Sequence, residues 1–239
     1  MARRRFFVDS VRSGRAEIQG EDARHLTKVL RVEPGQRYEI SDDTAAYLAE
    51  VALARKEQVV FAVLEKLPPE PPSPEIAVFA ALIKFDAFEL LIEKATELGV
   101  TSITPVAATR SERGLDLAAP KRLERWRKIA LEASQQSRRD HLPRIADPLP
   151  LSACLAAASG QRLCLDEAGG QPLLRVYDPA LPASLLAGPE GGWTDAERER
   201  IARAGWTPVT LGPRILRAET AVIAALAVLD AAFRLRQST

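Results

Sequence analysis

Cysteine and histidine are nearly missing from this sequence: 239 residues hold two of each, Cys154 and Cys164, His25 and His141. No C-x-x-C pair occurs, so neither a disulfide framework nor a metal centre is expected. Long apolar runs are missing too. None approaches the ~20 residues that cross a bilayer, and the opening Met1-Ala2-Arg3-Arg4-Arg5-Phe6-Phe7 has no secretory apolar core. A cytoplasmic protein with no membrane partner is expected. The chain also lacks a G-x-x-x-x-G-K-[ST] loop and a G-x-G-x-x-G turn after a strand, which argues against the common phosphate-cradling nucleotide sites. Nor is one sign of charge in excess overall, with 33 Lys and Arg against 32 Asp and Glu.

What is present is concentrated in the last third, in two loops that each join an apolar run to a helix. The first is Leu185-Leu186-Ala187-Gly188-Pro189-Glu190-Gly191-Gly192-Trp193-Thr194. Its aliphatic start reads as a buried strand, and three glycines permit a close backbone approach that side chains would block. Thr194 and Glu197 form a capping-box pattern, so a helix begins directly behind the glycines with its free amides towards the loop. The second is Leu211-Gly212-Pro213-Arg214-Ile215-Leu216-Arg217-Ala218-Glu219-Thr220, between a strand at Val209–Leu211 and a long apolar helix from about Ala218. Tight turns without a ligand would satisfy the glycines. They leave unexplained four charges, Glu190, Arg214, Arg217 and Glu219, placed beside apolar strand ends where solvation is costly.

Ahead of these loops the chain divides in two. Up to residue 67 short strands dominate, at Arg4–Asp9, Tyr38–Ser41, Tyr47–Ala52 and Val59–Leu64, interrupted by one helix over Glu21–Val32. On that helix Leu26, Val29 and Leu30 share a packing side, while Arg24, Lys28 and Arg31 form a cationic row suited to phosphate contacts. Leu67–Pro74 has five prolines in eight residues, a stiff linker. From 75 to 239 strands alternate with helices: Ile76–Leu82, a helix from Phe85 to Leu98 stopped by Gly99, then Val100–Val106. This predicts a parallel sheet with helices on both faces. Between Arg110 and Arg144 ten basic residues face five acidic ones, and much of the excess sits on a helix over Lys121–Arg139. That asymmetry suits a local contact with a polyanion. The last helix is apolar all round from Ala221 to Leu229 and needs cover on every side, which predicts a second copy against it.

The paired loops resemble the two carboxy-terminal motifs of the RsmE family, in the SPOUT class of S-adenosylmethionine-dependent RNA methyltransferases. His25-Leu26-Thr27-Lys28-Val29-Leu30-Arg31 is similar to the family's amino-terminal motif. The resemblance implies a PUA-like β-barrel RNA-binding domain over 1–67 and a SPOUT α/β domain with a parallel sheet and a carboxy-terminal trefoil knot over 75–239. It implies an S-adenosylmethionine pocket made by Leu165, Leu186, Ala187, Gly188, Gly191, Gly192, Leu211, Gly212, Ile215, Leu216 and Ala221. It further implies transfer to N3 of a uridine in 16S ribosomal RNA, free or in the assembled small subunit, by a homodimer joined through the carboxy-terminal domain. N3 must lose a proton before it attacks, so a guanidinium that stabilises the resulting anion is wanted, with Arg217 the first choice and Arg214 the second. Glu190 would accept the proton or order the loop. RNA contacts are expected from Arg4, Arg24, His25, Lys28, Arg31, Arg110, Arg113, Arg138 and Arg139. A noncatalytic RNA-binding factor, or an enzyme with another RNA target, would use the same residues.

Overall fold

The computed structural model describes residues 4–238. The chain forms two compact units, residues 1–71 with 134–142, and residues 72–133 with 143–239.

The first unit is a curled five-stranded sheet with one helix. Strands β1 (Arg5–Phe7), β2 (Arg15–Gln19), β3 (Arg37–Ser41), β4 (Ala46–Arg55) and β5 (Gln58–Lys66) lie in the order β1-β3-β4-β5-β2. Register shifts in the β4–β5 pair increase the local bend of the long hairpin. Phe6, Ile18, Ile40, Val51, Val59 and Phe61 fill the concave side beneath Ala23 and Leu26 of helix α1 (Gly20–Lys28). The helix is shorter than its sequence suggests. It ends at Lys28, the Val32 amide returns to the Leu26 carbonyl (3.0 Å), and Arg31 takes a left-handed φ of 53°. Val29 is therefore 64% exposed instead of packed, and Arg31 leaves the helical row it was expected to share with Arg24 and Lys28.

Residues 134–142 belong to this unit although the first four of them are the last turn of a helix, Leu123–Ser137, that begins in the other one. Arg5 is buried here, paired with Glu39 and Asp140, and Arg138 pairs with Glu39 as well. Asp140 and Glu70 exchange hydrogen bonds, each amide donating to the other's carboxylate (3.0 and 2.8 Å), and the Ser41 hydroxyl donates to the Asp140 carbonyl (2.6 Å). Buried charges are tolerated when paired in this way.

The second unit is the expected α/β sandwich. Its strands are β6 (Ile76–Ala81), β7 (Ser102–Ala107), β8 (Arg144–Ile145), β9 (Leu149–Pro150), β10 (Gln161–Leu165), β11 (Gln171–Pro172), β12 (Ala183–Ala187) and β13 (Thr207–Thr210). They run parallel in the order β11-β13-β10-β12-β6-β7-β8, with β9 also on β7. Its helices are α2 (Phe85–Glu97), α3 (Leu115–Ala118), α4 (Leu123–Ser137), α5 (Leu151–Ala157), α6 (Leu173–Val176), α7 (Asp195–Arg203) and α8 (Ala218–Gln237). On one face Leu163, Leu185 and Val209 pack with Phe88 and Leu91 of α2, Trp126 of α4 and Val222, Leu226 and Leu229 of α8. On the other, Phe79, Cys164 and Leu186 pack with Leu151 and Leu155 of α5, Ile201 of α7, and Trp193 and Trp206. Both faces of the sheet are covered, which is why its strands read as continuous apolar runs. Among the described residues no helix is long and apolar enough to cross a membrane.

Candidate active site

The carboxyl ends of three neighbouring parallel strands, β13, β10 and β12, open on the same edge of the sheet. In open α/β sheets this edge is where ligands bind. Val209, Leu165 and Ala187 are register partners across the three strands and form an apolar floor. The walls are the loops that leave these strands: Asp166-Glu167, Gly188–Gly191 and Leu211–Leu216, with Ala218 and Ala221 closing one side. Together they line a cavity of about 330 Å³, within the usual range of small-molecule sites. The turn that begins at Gly188 and the turn that begins at Gly212 thus enclose common space.

Side chains outside the cavity hold these walls. Thr194 caps α7: its hydroxyl accepts the Glu197 amide (3.2 Å), and the Glu197 carboxylate accepts the Thr194 amide (2.9 Å). Glu197 is 1% exposed, and its second oxygen accepts the Thr109 amide (2.8 Å) after β7. Burial raises the pKa of this carboxyl, but the Thr109 and Thr194 donors outweigh it and leave the group below its ordinary value. One turn along α7, Arg198 donates two hydrogen bonds to Asp166 (3.0 and 2.9 Å), one to Glu167 (3.0 Å) and one to the Trp193 carbonyl (2.6 Å). Asp166 follows the same logic: burial raises it, while Arg198 and the Ala168 amide bring it below the usual carboxylate range. Arg110 reaches from the end of β7 to donate to the Gly191 carbonyl (2.9 Å). Gly192 takes φ +66°, and a Cβ there would stand 2.1 Å from Glu167 Oε1. Burial pushes the Cys164 thiol beneath the floor up to about 12, so it stays protonated and unreactive.

Eleven of the expected residues line the cavity: Leu165, Ala187, Gly188, Glu190, Gly191, Leu211, Gly212, Arg214, Ile215, Leu216 and Ala221. Three do not. Leu186 alternates with its neighbours to the opposite face of β12, in the core with Trp193. Gly192 is buried behind the loop, where it supplies the turn, its amide donating to the Pro189 carbonyl (2.8 Å). Arg217 is the exposed residue that precedes α8. Glu190 is exposed and makes no hydrogen bond among the described residues, so the ordering of the loop comes from Arg110, Glu197 and Arg198. Glu219 is 7% exposed in the first turn of α8, where free amides favour an anion. Sequence reasoning missed Asp166 and Glu167 as wall residues, and Arg198 as their anchor. The only signal for the anchor was an arginine beside the capping-box glutamate.

The expected polyanion contacts separate in the same way. In the second unit Arg113 is exposed, whereas Arg110 is tied to the loop. On α4 Arg125 is paired with Glu89 (2.7 Å), and in the turn before it Arg122 lies over the Phe85 ring (4.8 Å), which leaves Lys121, Arg127 and Lys128 as exposed cations. In the first unit Arg4, His25 and Lys28 are exposed, Arg24 pairs with Glu57, and Arg138 is committed to Glu39. Arg139 is half-buried. Burial lowers its pKa, against the opposing pull of Glu70 and Asp43.

Residues 69–230 match the family described as the RNA methyltransferase domain, and residues 18–64 match the RNA methyltransferase PUA domain. A ribosomal RNA small subunit methyltransferase E of Bacillus subtilis is 34% identical over 226 residues, covering 89% of this chain and 88% of its own length. One of Synechocystis is 36% identical over 219 residues, 87% of this chain and 70% of that protein. Among solved structures, the ribosomal RNA small subunit methyltransferase E of Neisseria gonorrhoeae bound to S-adenosyl methionine superposes with a TM-score of 0.89 at 29% identity, covering 96% of this chain and 97% of that one.

Proposed function

We propose a function from one premise: the chain belongs to the ribosomal RNA small subunit methyltransferase E family. It transfers a methyl group from S-adenosylmethionine to N3 of a uridine in 16S ribosomal RNA. The observation that carries this reading is the cavity at the carboxyl ends of β13, β10 and β12. Its floor is aliphatic and its glycine-bearing loops offer backbone at the rim, which suits an adenine with a few hydrogen bonds at its edge. When bound there, S-adenosylmethionine supplies an electrophilic methyl group.

The chain's own groups supply position and charge. Gly188 and Gly191 let the loop pack where a Cβ would press on Trp193 (3.0 Å) and on Arg110 (3.2 Å), and Arg110 and Arg198 keep its backbone fixed before the ligand arrives. Uridine N3 attacks only as the anion, whose charge spreads onto the flanking carbonyl oxygens. Arg214 lines the cavity and Arg217 does not, so the stabilising guanidinium is assigned to Arg214. Glu190, exposed on the same rim, is the carboxylate placed to take the N3 proton. RNA is held by the exposed cations Arg4, Lys28, Arg113, Lys121 and Lys128, and the enzyme works in the cytoplasm as a homodimer on RNA that is free or assembled into the small subunit. α8 supports the dimer: Ala227 and Leu235 leave apolar surface exposed beside its buried stripe. The carboxy-terminal knot is part of the same reading.

Steady-state kinetics with calorimetry tests the assignment. Arg214→Ala is expected to lower kcat at least a hundredfold while S-adenosylmethionine affinity stays within about a few-fold, as for a group acting in the transition state. If Arg217→Ala shows that pattern and Arg214→Ala does not, the role belongs to Arg217. If neither protein nor variants bind S-adenosylmethionine, the enzymatic reading fails.

A further inference from the structure

The hairpin between β1 and β2 carries a feature that the stability of the sheet does not explain. Arg12 and Arg15 exchange both backbone hydrogen bonds, each 2.9 Å, around Ser13 and Gly14 at φ 49° and 71°. Positive φ at both central residues is the primed turn that suits a two-residue hairpin. The two arginines are therefore directly opposed, with their Cβ atoms about 5.5 Å apart and their side chains on one side of the ribbon. Like charges so placed destabilise a hairpin. Both residues are exposed, and among the described residues neither forms an ion pair, whereas Arg24 and Arg37 of the same unit each have a glutamate partner.

The pair lines a cavity of about 650 Å³ beside β1 and β2, the sheet's two edge strands, which do not pair with each other. Phe7 lines it. Because successive residues of a strand point to opposite faces, Phe6 fills the core and Phe7 turns away from it, half-buried, into this space. The remaining polar wall holds Ser10, Gln19 and three carboxylates. Glu17 already accepts hydrogen bonds from the Gln19 and Gln58 side chains, which leaves Asp9 and Asp22 as free acceptors. Carboxylates in the wall disfavour a bare anion occupying the whole cavity. They suit a base whose edge carries N–H donors.

We propose that this cavity binds one nucleotide of single-stranded RNA, with the phosphate between Arg12 and Arg15 and the base stacked on Phe7 within reach of Asp9 and Asp22. Two guanidinium forks on one phosphate remove the repulsion that the turn imposes, and an aromatic face gives stacking that duplex RNA cannot reach. None of the α1 cations lines the site, which deepens the reading of the protein as an RNA methyltransferase, on which it rests.

Fluorescence anisotropy of the full-length chain with a labelled single-stranded RNA, titrated in salt, tests this. For Arg12→Thr/Arg15→Thr the slope of log K against log salt should become shallower by about 0.7, the loss of one neutralised phosphate on a single strand. Its Tm should not fall, because threonines pair well across strands. Phe7→Leu should weaken single-strand binding by about fivefold or more at unchanged slope, and leave binding to a duplex of the same composition unaltered. If both variants bind single strands like the natural protein while it still binds and methylates RNA, the nucleotide site is refuted and the enzymatic reading stands. If the natural protein neither binds nor methylates RNA, both fall. Circular dichroism and a cooperative melt like those of the natural protein show that the variants are folded.

Discussion

Arg110 shows how far a residue's charge can mislead about its use. In sequence it opens a basic stretch and reads as an RNA contact; in the fold its guanidinium donates to the Gly191 carbonyl and pins the glycine loop. Arg110→Ala should therefore weaken S-adenosylmethionine binding by about tenfold in calorimetry with little change in the salt slope of RNA binding, the reverse of a phosphate contact. Gly192 is legible as a special glycine but not as a residue outside the cavity, because only the folded loop shows it turned towards Glu167. At φ +66° an alanine is strained by about 1–2 kcal/mol whatever space it finds, and its Cβ would also push Glu167 from Arg198. Thermal denaturation of Gly192→Ala should show a drop of about 2–8 °C. An unchanged Tm would mean the turn is softer than its geometry indicates.

At the scale of elements, periodicity carried most of the fold. The alternation of apolar strands and helices after residue 75, the capping box at Thr194 and the apolar last helix are all where pattern placed them. Patterns failed where tertiary partners decide. α1 stops at Lys28 because the chain must return Val32 to the core, and β2 was not anticipated because its alternation, though regular, rests on only two apolar residues, Ala16 and Ile18, in a run of five. The grouping of residues 134–142 with the first unit depends on Arg5 meeting Asp140, a pairing 135 positions apart that no local pattern reveals. The capping box itself is testable. Thr194→Ala should cost about 1 kcal/mol in denaturant unfolding and lower S-adenosylmethionine affinity more than Thr220→Ala, an exposed change on α8. Equal effects on affinity would show that the α7 cap does not order the glycine loop.

For the whole molecule, the wall of the site ties stability to acidity. Asp166 and Glu197 are both held below their ordinary pKa values, against burial, by Arg198 and by backbone amides. A carboxyl depressed on folding adds stability that is fully present above its unfolded pKa of about 4 and is lost as pH falls through the lower folded value. Tm should thus be flat from pH 7 to about 5 and fall below about 4, and Glu197→Gln should be less stable at pH 7 with a shallower acid limb. The most direct test of the central claim supplies the protein with S-adenosylmethionine labelled in the methyl group and with small-subunit ribosomal RNA, then digests the RNA to nucleosides. The label is predicted in N3-methyluridine alone. Label in another nucleoside, or none despite intact RNA and bound S-adenosylmethionine, would contradict the account.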